Sequence, residues 1–277
     1  MITKNFEFDI TYECNLSCKW CERLCGTKFR KPDVITPKMM RKYCDIINPY
    51  ITSHSRITIL GGEPTLHPQL FEVLDIALEM LRPKLAIPIY ILSNGSGSKI
   101  NSILDQIRVK YVTQDNLLLA HGFLDYAILK DSTDQFCIVC SKTKEGNQWA
   151  ETHHLPIYAA PIDYPSNILN YSEDCPCRRY CGYGVTPYGI YICSTGAPAI
   201  PSIFKLGNGW DHFPTPREEE EQAQKFCKYC YFSCYTHIPQ YQYDSNQKKM
   251  IVTESYKKAI EEWNNVPYFL EPLETSD

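Results

Sequence analysis

Apolar positions in the first 110 residues alternate between two periods. Phe6-Glu7-Phe8-Asp9-Ile10 alternates apolar and polar, the period of a strand with one face on a core. Thr36-Pro37 reads as an N-cap and first helical residue, and Met40, Tyr43, Ile46 and Ile47 then fall on one side of a helix. Ile57-Thr58-Ile59-Leu60 is a short β-branched strand that ends in Gly61-Gly62. Pro68 is expected to open a second helix, with Leu70, Phe71, Leu74, Ala77, Leu78 and Leu81 at helical spacing. Ile89-Tyr90-Ile91-Leu92 is a third strand, ending in Ser93-Asn94-Gly95, and a further helix carries Ile100, Ile103, Leu104 and Ile107.

Repeated βα units argue for a parallel sheet or an open α/β barrel, in which chemistry sits at the carboxyl ends of the strands. Residues 124–129 and 156–160 read as further strands. The chain is too short for eight such units, so the expected fold class is α/β, a partial (β/α) TIM-type barrel with a small cysteine-rich C-terminal domain. The expected division is a barrel over residues 1–165, the cysteine-rich unit over 166–240 and a helical tail over 241–277. In the second part Thr215-Pro216 opens an acidic helix that leads into Cys227, and residues 254–263 form a last amphipathic helix.

Composition sharpens this picture at one point above all. Of 277 residues, 14 are cysteine. The N-terminus lacks an apolar export segment and no apolar run approaches the about 18 residues of a membrane span, so a cytoplasmic chain without membrane contact is expected. Thiols in a reducing compartment point to metal or redox work rather than disulfides. The net charge of −4, without a long basic stretch, makes a nucleic-acid backbone no obvious partner. An apolar fraction of 44% is enough for a proper core.

The candidate chemistry begins directly after the first strand, at Cys14-Asn15-Leu16-Ser17-Cys18-Lys19-Trp20-Cys21. Three thiolates in C-x3-C-x2-C spacing can hold three irons of a cubane and leave the fourth iron open. A closed cluster with Cys25 as fourth ligand and a zinc site are the alternatives. With Gly61-Gly62-Glu63-Pro64 and Leu92-Ser93-Asn94-Gly95, in that order and at these separations, the first 110 residues resemble the radical S-adenosylmethionine (SAM) superfamily. The resemblance implies that Cys14, Cys18 and Cys21 hold a [4Fe–4S] cluster whose open iron chelates SAM. Gly61, Gly62, Glu63, Pro64, Ser93, Asn94 and Trp20 would lie along the cofactor. It also implies reductive cleavage of SAM to a 5′-deoxyadenosyl radical, with an external one-electron reductant such as flavodoxin or ferredoxin as partner.

A second group comprises Cys175, Cys177, Cys181, Cys193, Cys227, Cys230 and Cys234. Pro187-Tyr188-Gly189 reads as the turn of a hairpin with Cys181 and Cys193 at its ends. Cys181, this turn, Cys193 and the Cys227-to-Cys234 set resemble the SPASM and shorter twitch auxiliary-cluster domains. The last set departs from full SPASM spacing, so the resemblance implies one auxiliary [4Fe–4S] cluster, with two clusters, one of them with an open iron, as the alternative count. A zinc knuckle is the alternative, and which four of the seven serve as ligands stays open. An auxiliary cluster can take the second electron of an oxidation. The leading expectation is therefore net two-electron oxidation, a dehydrogenation or bond formation, of a small-molecule or peptide substrate. Redox-neutral rearrangement or epimerisation, including of a nucleoside or amino-acid-derived substrate, is the second expectation. An iron–sulfur electron carrier or a zinc-binding interaction module is the third. Lys130 and Asp131 are speculative substrate contacts, His153-His154 read as surface residues, and Cys44 reads as core.

Overall fold

The computed structural model describes residues 4–18, 21–111, 136–140, 158–165, 168, 170–173, 175–196, 198–246 and 251–273. The βα alternation is present. Strand β1 (Phe6–Thr11) is followed by α1 (Pro37–Ile47), β2 (Ile57–Gly61), α2 (Leu70–Met80), β3 (Ile89–Ser93), α3 (Ser98–Tyr111) and β4 (Phe136–Cys140). β1 to β4 are parallel neighbours in sequence order, as expected of right-handed βαβ crossovers. Thr36 caps α1 by accepting from the Met39 N–H, with Pro37 at the first position.

One start and two strands differ from expectation. Helix α2 begins at Leu70 rather than Pro68, because the His67 ring accepts the Gln69 N–H at 3.0 Å and holds one more turn open. Strand β4 has no counterpart in the sequence reading. Its FCIVC run carries two cysteines and too little alternation to stand out. Of the expected strand 156–160, residues 158–160 form no strand, and the expected strand 124–129 lies outside the described residues, as do His153 and His154.

Strands β5 (Tyr183–Thr186) and β6 (Gly189–Tyr191) form the expected hairpin, and β5 pairs parallel with β1. The cysteine-rich region thus contributes the edge of a single six-stranded sheet, ordered β4-β3-β2-β1-β5-β6. Gly182, just before β5, has φ +83° and sits so close to β1 that a Cβ would lie 2.2 Å from the Asn5 carbonyl oxygen.

The two faces of the sheet differ in kind. Phe6, Phe8, Ile10, Ile57, Ile59, Ile89 and Ile91 pack with α1, α2 and α3 in one apolar core, where Cys44 also lies. The opposite face carries Glu7, Asp9, Thr11 and Thr58, all buried. A polar strand face normally meets water; here the cysteine-bearing segments cover it. Among the described residues no helix is long and apolar enough to cross a membrane.

Candidate functional site

The loops after β1, β2 and β3 converge, as the strand-end rule requires. Backbone joins the first two: Gly62 N–H donates to Thr11 O at 2.7 Å and Glu63 N–H to Glu13 O at 2.8 Å. A Cβ on Gly61 would lie 2.2 Å from Thr11 O, and one on Gly62 would lie 2.2 Å from Glu13 O and 3.1 Å from Cys14 Cβ. The two glycines are therefore required by the chain's own backbone, which presses the β2 end against the cysteine loop.

Glu63 joins the third loop to these two. Its side chain is fully buried and accepts from Thr65 N–H (3.1 Å), Thr65 Oγ1 (2.8 Å), Ser93 Oγ (3.0 Å to each oxygen) and Asn94 N–H (2.8 Å). Glu63 and Ser93, expected along a cofactor, bond to each other and form a latch between the β2 and β3 ends. Pro64 is buried in the short turn that follows Glu63. Asn94 does face the cysteine loop. Its Nδ2 donates to Asn15 Oδ1 at 2.9 Å and lies 3.9 Å from Cys14 Sγ, while Asn15 Nδ2 returns a bond to Ser96 O at 2.8 Å.

Cys14, Cys18 and Cys21 are half-buried. Burial pushes the Cys14 thiol up to about 11 and raises Cys18 as well. Cys21 is lowered, because the buried Cys25 thiol donates to it; Cys25 is raised by the same bond. Cys14 lies in the fields of Cys18 and Cys21, and Cys25 in those of Cys14 and Cys21. Trp20, Lys130 and Asp131 lie outside the described residues.

Six of the seven later cysteines also gather. Cys175, Cys177 and Cys181 share one turn, and the Cys177 thiol bonds to both others, lowering Cys175 and Cys181. Cys230 lies in the fields of Cys227, Cys175 and Cys193. Gly196 makes room for it, since a Cβ there would lie 2.5 Å from Cys230 Sγ. Cys234 is the exception. Its thiol donates to Ala159 O at 3.6 Å, and it packs with Ile238 and Tyr241 in a separate cluster. The helix Tyr231–His237 carries it away from the other six.

Thiols of both groups border one packed cluster that contains Tyr12, Tyr188 and Tyr191. A chain of charges, two buried carboxylates and two half-buried arginines, joins the groups, and the sequence reading missed it. Arg23, two residues after Cys21, donates to Asp9 Oδ1 at 2.8 Å and Glu7 Oε2 at 3.3 Å. Arg56 lies 3.6 Å from Glu7 Oε1 and donates at 2.9 Å to the Tyr180 carbonyl, next to Cys181. Burial raises Glu7 despite both arginines. The signal was in the alternation itself: Glu7 and Asp9 occupy every second position of a strand whose other face is core.

Among the described residues no three His, Cys, Asp or Glu side chains are drawn together as a cage for one metal ion. Zinc would need its thiolates about 2.3 Å from one point. An iron–sulfur cube spreads its ligands over separate corners, and loosely gathered sets of half-buried or buried thiols fit that demand better. No family model matches the sequence, and no curated protein matches it. The fold is similar to a crystal structure of BtrN in complex with AdoMet and 2-DOIA, at 11% identity and a TM-score of 0.39, over 90% of this chain and 88% of that one. Likeness at that score and identity carries no argument about family or chemistry.

Proposed function

We propose that this chain is a radical SAM enzyme with one auxiliary iron–sulfur cluster, and that it carries out a net two-electron oxidation of a small-molecule or peptide substrate. The observation that carries the reading is the meeting of Cys14 to Cys21, Gly61 to Glu63 and Ser93-Asn94 at the carboxyl ends of three adjacent parallel strands. Cys14, Cys18 and Cys21 would hold the first cluster. When bound, that cluster and SAM supply a carbon-centred radical that removes a hydrogen atom from an unactivated C–H bond.

The chain's own residues then have separate tasks. The Glu63–Ser93 latch fixes the spacing of the loops, so that the Asn94 amide stays beside Cys14. Arg23 anchors the far end of the cysteine loop on β1. Cys175, Cys193, Cys227 and Cys230 are the favoured auxiliary ligands, drawn from three separate segments that line one packed cluster. Cys177 and Cys181 support that turn, and Cys234 is packing. Such a cluster gives the substrate radical's second electron a place to go, and an external one-electron carrier such as flavodoxin or ferredoxin would connect the enzyme to the reductant pool.

Anaerobic reconstitution tests this. The loaded, reduced protein is expected to release 5′-deoxyadenosine from SAM, and Cys18→Ala is expected to abolish release. Loaded protein that never forms 5′-deoxyadenosine sinks the reading. A product two mass units lighter than its substrate supports oxidation; an unchanged mass assigns a redox-neutral reaction instead.

A further inference from the structure

Arg30 is a buried cation that makes no ion pair with any acidic side chain among the described residues. It is 7% exposed. Its Nη2 donates to Pro198 O at 2.6 Å and its Nε to Arg23 O at 3.3 Å, and its Nη1 has no partner. The guanidinium lies 4.3 Å from the ring centre of Tyr12 and 5.2 Å from that of Tyr188, two rings stacked at 5.7 Å. Neither tyrosine brings a carboxylate to it. The Tyr12 hydroxyl donates to Asp9 at 3.1 Å and the Tyr188 hydroxyl to Asp33 at 2.7 Å, so both acids are turned toward phenols. Arg23, by contrast, has Asp9 and Glu7.

An isolated buried guanidinium is strongly disfavoured unless an anion compensates it, and carbonyl bonds with ring faces compensate only in part. Arg30 donates to the backbone of Arg23, two residues after Cys21, and lies over Tyr12, two residues before Cys14, in the packed cluster that Cys14, Cys21 and Cys25 share. The missing anion is thus to be sought at the first cysteine loop. An iron–sulfur cube on three thiolates carries net negative charge, and more after reduction.

We propose that Arg30 is the built-in counter-ion of the cluster on Cys14, Cys18 and Cys21, a positioning residue that stabilises the reduced, more negative state. This rests on the assignment of that loop made above. Arg30 is buried beside the loop and acts through its charge rather than as a ligand.

Two variants test it. Arg30→Met keeps much of the stem and removes the charge; Arg30→Lys keeps the charge and loses the planar fork. In EPR-monitored redox titrations, Arg30→Met is expected to shift the first cluster's midpoint potential to more negative values, with Arg30→Lys close to the parent. In melting curves, iron loading is expected to raise the Tm of the parent more than that of Arg30→Met. An arginine that only packs would lower the Tm of empty and loaded protein by the same amount and leave the potential in place, and that result overturns the proposal. If Arg30→Met cannot load iron while Arg30→Lys can, charge is the requirement and the proposal stands. If both fail to load, shape is the requirement and it falls. Parent protein that binds no cluster on this loop overturns the loop assignment itself, a failure distinct from an unshifted potential in a loaded variant.

Discussion

The two cysteine groups use the same side chain in opposite settings. Cys14, Cys18 and Cys21 are half-buried on a loop held by three strand ends, with the Asn94 amide beside them. In the second group Cys175, Cys177, Cys193 and Cys230 are buried at 8%, 6%, 8% and 7% exposure, and Cys181 and Cys227 are half-buried. A thiol set open on one side can share its cluster with a small molecule, whereas an enclosed set can only store and pass charge. Under the proposed function, the difference fits bond-breaking chemistry at the first group and electron handling at the second. The Arg23–Glu7–Arg56 chain holds the two groups in fixed relation.

The contrast is broken most severely by removing one thiol from either side. Cys18→Ala is expected to abolish 5′-deoxyadenosine formation while iron analysis and EPR still report the second cluster. Cys230→Ala is expected to do the reverse: the second cluster's signal disappears and 5′-deoxyadenosine persists, but two-electron product is lost. If each substitution emptied both groups, they would be one cooperative unit and the division would fail. Cys234→Ser sharpens the boundary, since iron content should stay at the parent value despite a modest loss of Tm from a buried hydroxyl.

Smaller effects probe how the open site is held. In Glu63→Gln the buried carboxylate that collects Ser93, Asn94 and Thr65 loses its charge, which should cost about 2 kcal/mol in chemical unfolding. Gly62→Ala forces a Cβ against Glu13 O and should cost about 1–3 kcal/mol and slow iron loading at the first group only. The mildest effect is with pH. His67 donates from Nε2 to Ile35 O at 2.9 Å while its Nδ1 accepts from Gln69, and burial lowers its pKa. The unfolded chain therefore binds the proton more readily, so this residue's stabilisation is present above about pH 6.5 and declines as pH falls below it. Unfolding titrations should show a flatter acid slope for His67→Gln than for the parent.

Much of this was legible in the residues. Strands β1 to β3 and helices α1 and α3 follow from two periodicities and one capping signal, because each is fixed by which face of a local element must be dry. Strand β4 and the start of α2 were not legible, because a neighbouring strand and the His67 ring decide them. The site was legible as three segments but not as a division of labour. Glu63 and Ser93 read as ligand-facing polar groups, yet they bond to each other. The later cysteines looked alike in spacing, yet six gather and Cys234 packs elsewhere.

The sequence by itself determined that a βα chain carries thiols and small polar residues to one set of strand ends. Periodicity is local, and the carboxyl end of every parallel strand points the same way. Only the tertiary structure decided which polar groups satisfy one another, that the cysteine-rich hairpin completes the sheet beside β1, and that Arg30 meets no carboxylate among the described residues. Those outcomes depend on burial and on partners more than 20 residues distant in the chain, and no local pattern records a partner's absence.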